Sequence, residues 1–384
     1  MKKAIALMLT LGLVIALAAC GGPAASPSPS PTQAPTGEPT GEPTGEPTGE
    51  PNVDDGTYEI ALVTDIGNID DKSFNQGAWE GVVEYAEANN ITYNYFRPFE
   101  DTDAARIDSI KTAIEKGAKV VVCPGYLFTN AVLEMQADHP EVQFLVLDLS
   151  LGDDTAENTH CVLYREEQSG YFAGYAAVMD GYRGLGFLGG IDVPSVVRFG
   201  YGFVQGADAA AAELNLAAGD VTIKYWYGMT FGPDDDVKAR MDSWYADQTE
   251  VVFACGGAIY LSALAAAEVA DGRLIGVDSD QAAVSDLIIT SAMKTLTGSV
   301  IVSLGELYDN GGTWSSDLAG ATATLGVNVD GVGLPTEDGS WRLENWTVAD
   351  YEALYAKMKA GEIEISDATD VAPTVTLVTV DYQN

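Results

Sequence analysis

From Tyr58 onward, short apolar runs alternate with longer stretches in which apolar residues recur every three or four positions. Short unbroken apolar runs fit strands buried on both faces, and the longer stretches fit helices with one buried side. The pattern predicts strands at Ile60–Thr64, Tyr93–Arg97, Val120–Pro124 and Phe144–Asp148. Between them it predicts helices at Phe74–Asn89, Asp103–Lys116 and Asn130–Ala137. After a helix over Gln168–Met179 the rhythm restarts, with strands at Gly186–Gly189, Val221–Tyr225, Val251–Cys255 and Leu274–Val277. A βαβ succession implies a parallel sheet with helices on both faces, so the fold class is α/β. Two such sets in series predict two similar lobes. Ligands of open parallel sheets bind beyond the carboxyl ends of the strands, which makes the cleft between the lobes the expected site.

The first twenty residues do not fit this rhythm. Lys2 and Lys3 precede an apolar stretch, Ala4–Ala16, too short to span a bilayer, which reads as a leader. It ends in Leu17-Ala18-Ala19-Cys20, which resembles the lipobox of bacterial lipoproteins and implies cleavage before Cys20 and a diacylglycerol on its thiol. Nine of the sixteen prolines then lie between Pro23 and Pro51, where Thr-Gly-Glu-Pro occurs four times in succession. Such a segment has no apolar face to bury, so residues 20–56 read as a lipidated tether that spaces a folded body from the outer face of a cell membrane, as through the thick wall of a Gram-positive cell. A soluble monomer is expected from Asp54 onward.

Charge narrows the partners. Lys plus Arg total 19 against 57 Asp plus Glu, a formal net charge of -38 that becomes -40 once Lys2 and Lys3 leave with the leader. A chain this acidic is repelled by phosphate backbones, so nucleic acid is excluded as a partner. His139 and His160 are the only histidines, too few for a His-rich zinc site, and the sequence calls for no metal or cofactor.

The candidate chemistry sits at strand ends. Ile60-Ala-Leu-Val-Thr64 runs into Asp65-Ile-Gly-Asn-Ile-Asp-Asp-Lys-Ser73-Phe74-Asn75-Gln76, followed by Gly77-Ala-Trp79-Glu80-Gly81. Three carboxylates, a Ser, an Asn and a Phe in one loop can grip hydroxyls and stack a flat ring. These residues resemble the basic membrane lipoproteins, a family that includes purine nucleoside receptors of ABC transporters. The resemblance continues through Arg165-Glu-Glu-Gln-Ser-Gly-Tyr-Phe-Ala-Gly-Tyr-Ala-Ala177, Gly186-Phe-Leu-Gly-Gly190 and Gly202-Phe-Val-Gln-Gly206. It ends with Phe253-Ala-Cys-Gly-Gly257, Ile275-Gly-Val-Asp278-Ser-Asp280-Gln281 and Thr290-Ser-Ala-Met-Lys294.

The resemblance implies a type I periplasmic-binding-protein fold, two doubly wound lobes that close on a nucleoside and deliver it to the permease of an ABC importer without acting as an enzyme. It implies a first lobe of residues 57–163 plus about 296–327 and a second of 164–295 plus about 328–384, with hinge crossings near Tyr164, Thr295 and Asn328. Asp65 would accept from ribose hydroxyls beside Asn75, and Phe74 would stack on one face of the base. Asp278, matched to Asp65 in the other lobe, would also hold the ribose, with Lys294 supplying a donor. Gly256 and Gly257 would let the backbone approach the ligand. Phe231 is the candidate for the second face of the base, although Gly228-Met-Thr-Phe231-Gly-Pro departs from the Gly-Ser-Phe-type pattern of the family.

Plainer roles stand beside these. An Asp at a strand end is often a helix cap, Phe74 fits a core anchor, and Lys294 fits a partner for a nearby carboxylate. Tyr126 and Phe128 fit either ligand contacts or rim packing. Gly184-Leu-Gly186-Phe-Leu-Gly189 matches a dinucleotide-binding fingerprint, but its glycines straddle a strand instead of following one, and the match is rejected. Asp234-Asp235-Asp236 and Asp70-Asp71 lack the spacing of a calcium loop and read as caps. Cys123 and Cys255 close apolar strands and read, with Cys161, as buried free thiols. A sugar receptor of the same fold and a nucleoside hydrolase are the alternatives in function.

Overall fold

The computed structural model describes residues 56–383. Cys20, the leader and the Pro-rich repeats lie outside the described residues. The first set of elements comprises β1 (Ile60–Val63), α1 (Phe74–Asn89), β2 (Tyr93–Phe96), α2 (Asp103–Glu115), β3 (Val120–Pro124), α3 (Thr129–Asp138), β4 (Gln143–Leu147) and β5 (Thr159–Tyr164). The second begins with α4 (Glu166–Asp180), β6 (Gly184–Gly189), α5 (Pro194–Glu213) and β7 (Thr222–Tyr227). It continues with α6 (Asp235–Ala246), β8 (Val251–Cys255), α7 (Tyr260–Ala270), β9 (Arg273–Asp278) and β10 (Ile288–Lys294). The tail adds α8 (Leu296–Asp309), β11 (Thr322–Leu325), β12 (Val332–Gly333), α9 (Val348–Lys359) and β13 (Thr379–Tyr382).

Among the described residues these strands form two sheets, ordered β11-β5-β4-β3-β1-β2 and β12-β10-β9-β8-β6-β7-β13. Every strand pair is parallel except β10 with β12. The order 5-4-3-1-2 of the first sheet recurs as 10-9-8-6-7 in the second, so each strand from β1 to β5 has a counterpart. Strands β1, β3, β4 and β8 are buried at every residue, which is why they carry unbroken apolar runs. The pattern did not reveal β5 or β10, because Thr159, His160, Thr290 and Ser291 interrupt their apolar runs and are nonetheless buried. The first turn of α4 was missed for the same reason: Glu166 and Glu167 look solvent-facing and are buried.

The chain passes between the sheets after Tyr164, at Thr295, and between β11 and β12. These passages bond to one another: Arg165 N donates to Leu325 O (2.9 Å) and Thr295 N to Gly331 O (3.0 Å). The rejected glycine fingerprint lies wholly inside β6, where Gly184 lets the Gln248 carbonyl approach to within 1.9 Å of where a Cβ would stand. Asp234 caps α6, accepting from the backbone N–H groups of Asp236 and Val237. Cys123, Cys161 and Cys255 are free and buried, and burial pushes each thiol up.

Candidate functional site

A cavity of about 540 Å³ lies at the carboxyl ends of the strands and is lined from both sheets. Asp65, Phe74, Asn75, Phe231, Gly256, Gly257, Asp278 and Lys294 all line it. Tyr126 is at its edge and 42% exposed, whereas Phe128 is fully buried beneath it, with the Arg106 guanidinium 5.9 Å from its ring centre.

The loop after β1 is built around Asp71 and Asn75. Asp71 accepts from the backbone N–H groups of Ser73, Asn75 and Gln76, which answers the open amide groups at the start of α1. Burial outweighs those donors and pushes the Asp71 carboxyl up to about 6. Asn75 donates both amide hydrogens, one to Asp71 Oδ2 (3.1 Å) and one to Asp65 Oδ1 (3.0 Å). Asp65 Oδ1 also accepts from Ile66 N and Gly67 N (2.5 and 2.7 Å). With Oδ1 saturated, Oδ2 is the Asp65 oxygen left for a ligand donor. Asn75 is thus a positioning residue for Asp65.

Phe231 rests on glycine. A Cβ at Gly190 would stand 2.5 Å from its Cδ1, and one at Gly256 would stand 3.0 Å from the same atom. Gly256 also has φ +139°, which side chains rarely adopt. The space over Gly190 and Gly256 is therefore filled by the Phe231 ring, while Gly257 makes room for the backbone carbonyl of Phe231.

Lys294 is enclosed. Its Nζ lies 2.5 Å from Asp148 Oδ2, 3.2 Å from Glu166 Oε1 and 3.6 Å from Asp278 Oδ1. Three aromatic rings surround the same ammonium: Phe74 (4.9 Å), Phe199 (5.2 Å) and Tyr164 (5.3 Å). Burial alone would lower the Lys294 ammonium, but the three carboxylates outweigh it and hold the group above its usual range. Glu166 also receives Arg198 Nε at 2.5 Å; burial raises its carboxyl, but Lys294 and Arg198 together hold it below the ordinary value. Burial pushes Asp148 up to about 7 and raises Asp278 as well, against the pull of Lys294. Asp278 Oδ2 accepts from the Ser73 hydroxyl (2.6 Å), a contact that joins the two sheets.

Two differences from the sequence expectations follow. The counterpart of Asp278 is Asp148 rather than Asp65: β9 corresponds to β4, Asp278 ends its strand and Asp148 directly follows its own, and both are in left-handed backbone, with φ 66° and 59°. Asp148 went unnoticed, although Phe144-Leu-Val-Leu-Asp148 and Ile275-Gly-Val-Asp278 share the pattern of an apolar strand ending in Asp. Lys294 spends its donors on carboxylates, the plainer of its two roles. Phe74 is a buried core ring that also faces the cavity.

A family model described as "ABC transporter substrate-binding protein PnrA-like", under the heading Bmp, matches residues 59–369. The chain belongs to this family. Basic membrane protein B of Borreliella burgdorferi is 27% identical over 285 residues, 72% of this chain and 80% of that protein. The ABC transporter nucleoside-binding protein BmpA of Lactococcus lactis is 26% identical over 234 residues, 58% of this chain but only 64% of that relative. Among solved structures, a solute-binding protein of an ABC transporter system from Aeropyrum pernix superposes with a TM-score of 0.71 at 19% identity, over 82% of this chain and 94% of that one. It shares the periplasmic-binding-protein-like fold. As a Bmp-family protein the chain is the solute-binding component of an ABC transporter and not an enzyme, which removes the hydrolase alternative.

Proposed function

We propose that this Bmp-family protein captures a nucleoside, a purine nucleoside by preference, between its two sheets and presents it to the permease of an ABC importer. A lipid on Cys20 would hold it at the outer face of the cell membrane. The observation that carries the nucleoside reading is the pairing, in one cavity, of two aromatic rings from different sheets with the open Asp65 Oδ2. Phe74 comes from the α1 end beside the first sheet, and Phe231 from the loop after β7 of the second. Stacking on a base is worth roughly 1–3 kcal/mol per ring and tolerates any base, while carboxylate oxygens suit sugar hydroxyls. A cavity of about 540 Å³ falls in the range of small-molecule sites. The Lactococcus lactis relative, described as nucleoside-binding, supports the same ligand class.

The test is calorimetry with adenosine, adenine and ribose, alongside mass spectrometry of whatever solute accompanies the purified protein. Adenosine should bind and free ribose should bind far more weakly. Phe74→Ala should weaken adenosine by about 1–3 kcal/mol and narrow the gap between adenosine and ribose. Tight ribose binding without adenosine binding would replace the nucleoside by a sugar.

A further inference from the structure

Lys294 and Arg198 share a buried cluster with Asp148, Glu166 and Asp278, so three carboxylates face two cations with one negative charge in excess. Asp148 is the member with an unpartnered oxygen. Its Oδ2 is taken by Lys294 at 2.5 Å, while its Oδ1 is buried and has no hydrogen-bond partner among the described residues. The residue lines the cavity and is only 5% exposed. A buried carboxylate oxygen without a donor is costly, and two things relieve it: a proton on that oxygen or a donor from a bound molecule.

We propose that Asp148 is a ligand-contacting residue that exchanges its own proton for a hydrogen-bond donor of the solute, so that solute capture releases a proton. The inference rests on the cavity being the solute site and asks only that the solute carry a hydroxyl or N–H donor. The groups that face Asp148 favour this exchange. Lys294 from β10 supports the ionised form, Glu166 from α4 and Asp278 from β9 oppose it, and Arg198 from α5 offsets Glu166. Tyr164 from β5 and the Cys255 thiol from β8 stay neutral, both pushed up by burial. Burial holds the Asp148 carboxyl up at about 7, and a donor from the solute would favour its ionised form. Because Oδ2 faces an ammonium, the proton belongs on Oδ1, the oxygen the solute would take. Left-handed backbone at this position suits Asn as well as Asp, so Asp148→Asn keeps the fold and fixes the neutral state.

The experiment has two arms. Without ligand, the parent and Asp148→Asn are unfolded in urea between pH 5 and 8. In the parent the folded protein holds a proton that the unfolded chain gives up, so its stability falls as pH rises toward 7 and then levels. The variant's advantage should grow roughly tenfold in unfolding constant per pH unit up to about 7. Glu167, paired with Arg165, is likewise pushed up to about 7 by burial, so the difference between the two proteins is the readout and not either profile alone. With adenosine as the probe, the parent's affinity should rise roughly tenfold per pH unit below 7 and flatten above it. Calorimetry in buffers of different ionisation heat should show one proton released per adenosine near pH 6. Asp148→Asn should bind roughly tenfold or more weakly at pH 8 and lose the pH dependence. An unchanged affinity and slope in Asp148→Asn, or no proton release by the parent, would overturn the proposal. Failure of the parent to bind adenosine at any pH would overturn the nucleoside reading instead, and a stability gap between the two proteins that stays constant from pH 5 to 7 without ligand would overturn the proton claim independently.

Discussion

Lys294 shows how one residue can be fixed by what surrounds it. Removing its charge strands three buried carboxylates, and breaking a buried ion pair from one side typically costs about 3–5 kcal/mol. Lys294→Met, which keeps the apolar stem against Phe74 and Phe199, should lose that much stability at pH 8 in urea unfolding. The loss should shrink as pH falls, because without the ammonium the stranded carboxylates take up protons at a higher pH than they do in the parent. A loss that stays constant from pH 8 to pH 5 would mean that the carboxylates are not what Lys294 balances. The family resemblance set Lys294 and Asp278 side by side at the ligand. The sequence did not indicate Asp148 or Glu166, because an acidic residue in a chain with 57 of them carries no mark of burial until the strand ends are superimposed.

At the scale of elements, the closest helix contact is between α4 and α5. Gly170 and Gly174 of α4 face the backbone carbonyls of Phe199 and Phe203, and a Cβ on either would stand 2.1 or 2.0 Å from those oxygens. Gly202 and Gly206 of α5 return the arrangement against the carbonyls of Glu167 and Tyr171, at 2.1 and 1.9 Å. Two small residues four apart on each helix let the backbones approach until only glycine fits. This contact holds Arg198 and Phe199 of α5 beside Glu166 of α4, so it also sets the charge cluster. Gly206→Ala should cost about 1–3 kcal/mol or more by overpacking in thermal or urea unfolding, whereas Ala209→Gly, on the same helix but only partly buried, should cost no more than about 1 kcal/mol. A gain in stability from Gly206→Ala would show that helix propensity and not the close approach matters. Helix spacing of this kind was visible in the sequence as motifs, Gly-Tyr-Phe-Ala-Gly174 and Gly202-Phe-Val-Gln-Gly206, but which two helices meet was not. Strands β1, β3, β4 and β8 were legible because burial on both faces writes an uninterrupted apolar run; β5 and β10 were not, because their buried Thr, Ser and His residues break it, and the short strands β11, β12 and β13 of the tail went unread as well.

At the scale of the whole molecule, the two sheets are joined by three backbone passages at one end and by side chains across the cavity at the other. Ser73 is the clearest of those side chains. It stands at the N-cap of α1, yet its hydroxyl caps nothing in the helix and donates to Asp278 Oδ2 of the other sheet. Gln281 Nε2 donates across the same gap to Lys72 O at 2.9 Å. The start of α1 is secured by Asp71 instead, so Ser73→Ala removes an inter-sheet bond without undoing the helix. A hydrogen bond to a charged group contributes about 1.5–3 kcal/mol, and here that energy belongs to the closed arrangement alone. We propose that the two sheets rotate about the passages near Tyr164, Thr295 and Asn328, each sheet staying intact, and that a solute touching both sheets favours the closed state. Ser73→Ala should therefore lower adenosine affinity at least several-fold, because a smaller fraction of the free protein is ready to bind. Small-angle X-ray scattering should show a larger radius of gyration for the ligand-free variant than for the parent, and the two should coincide when saturated with adenosine. Identical scattering in both conditions, with unchanged affinity, would show that the Ser73–Asp278 bond does not bias closure.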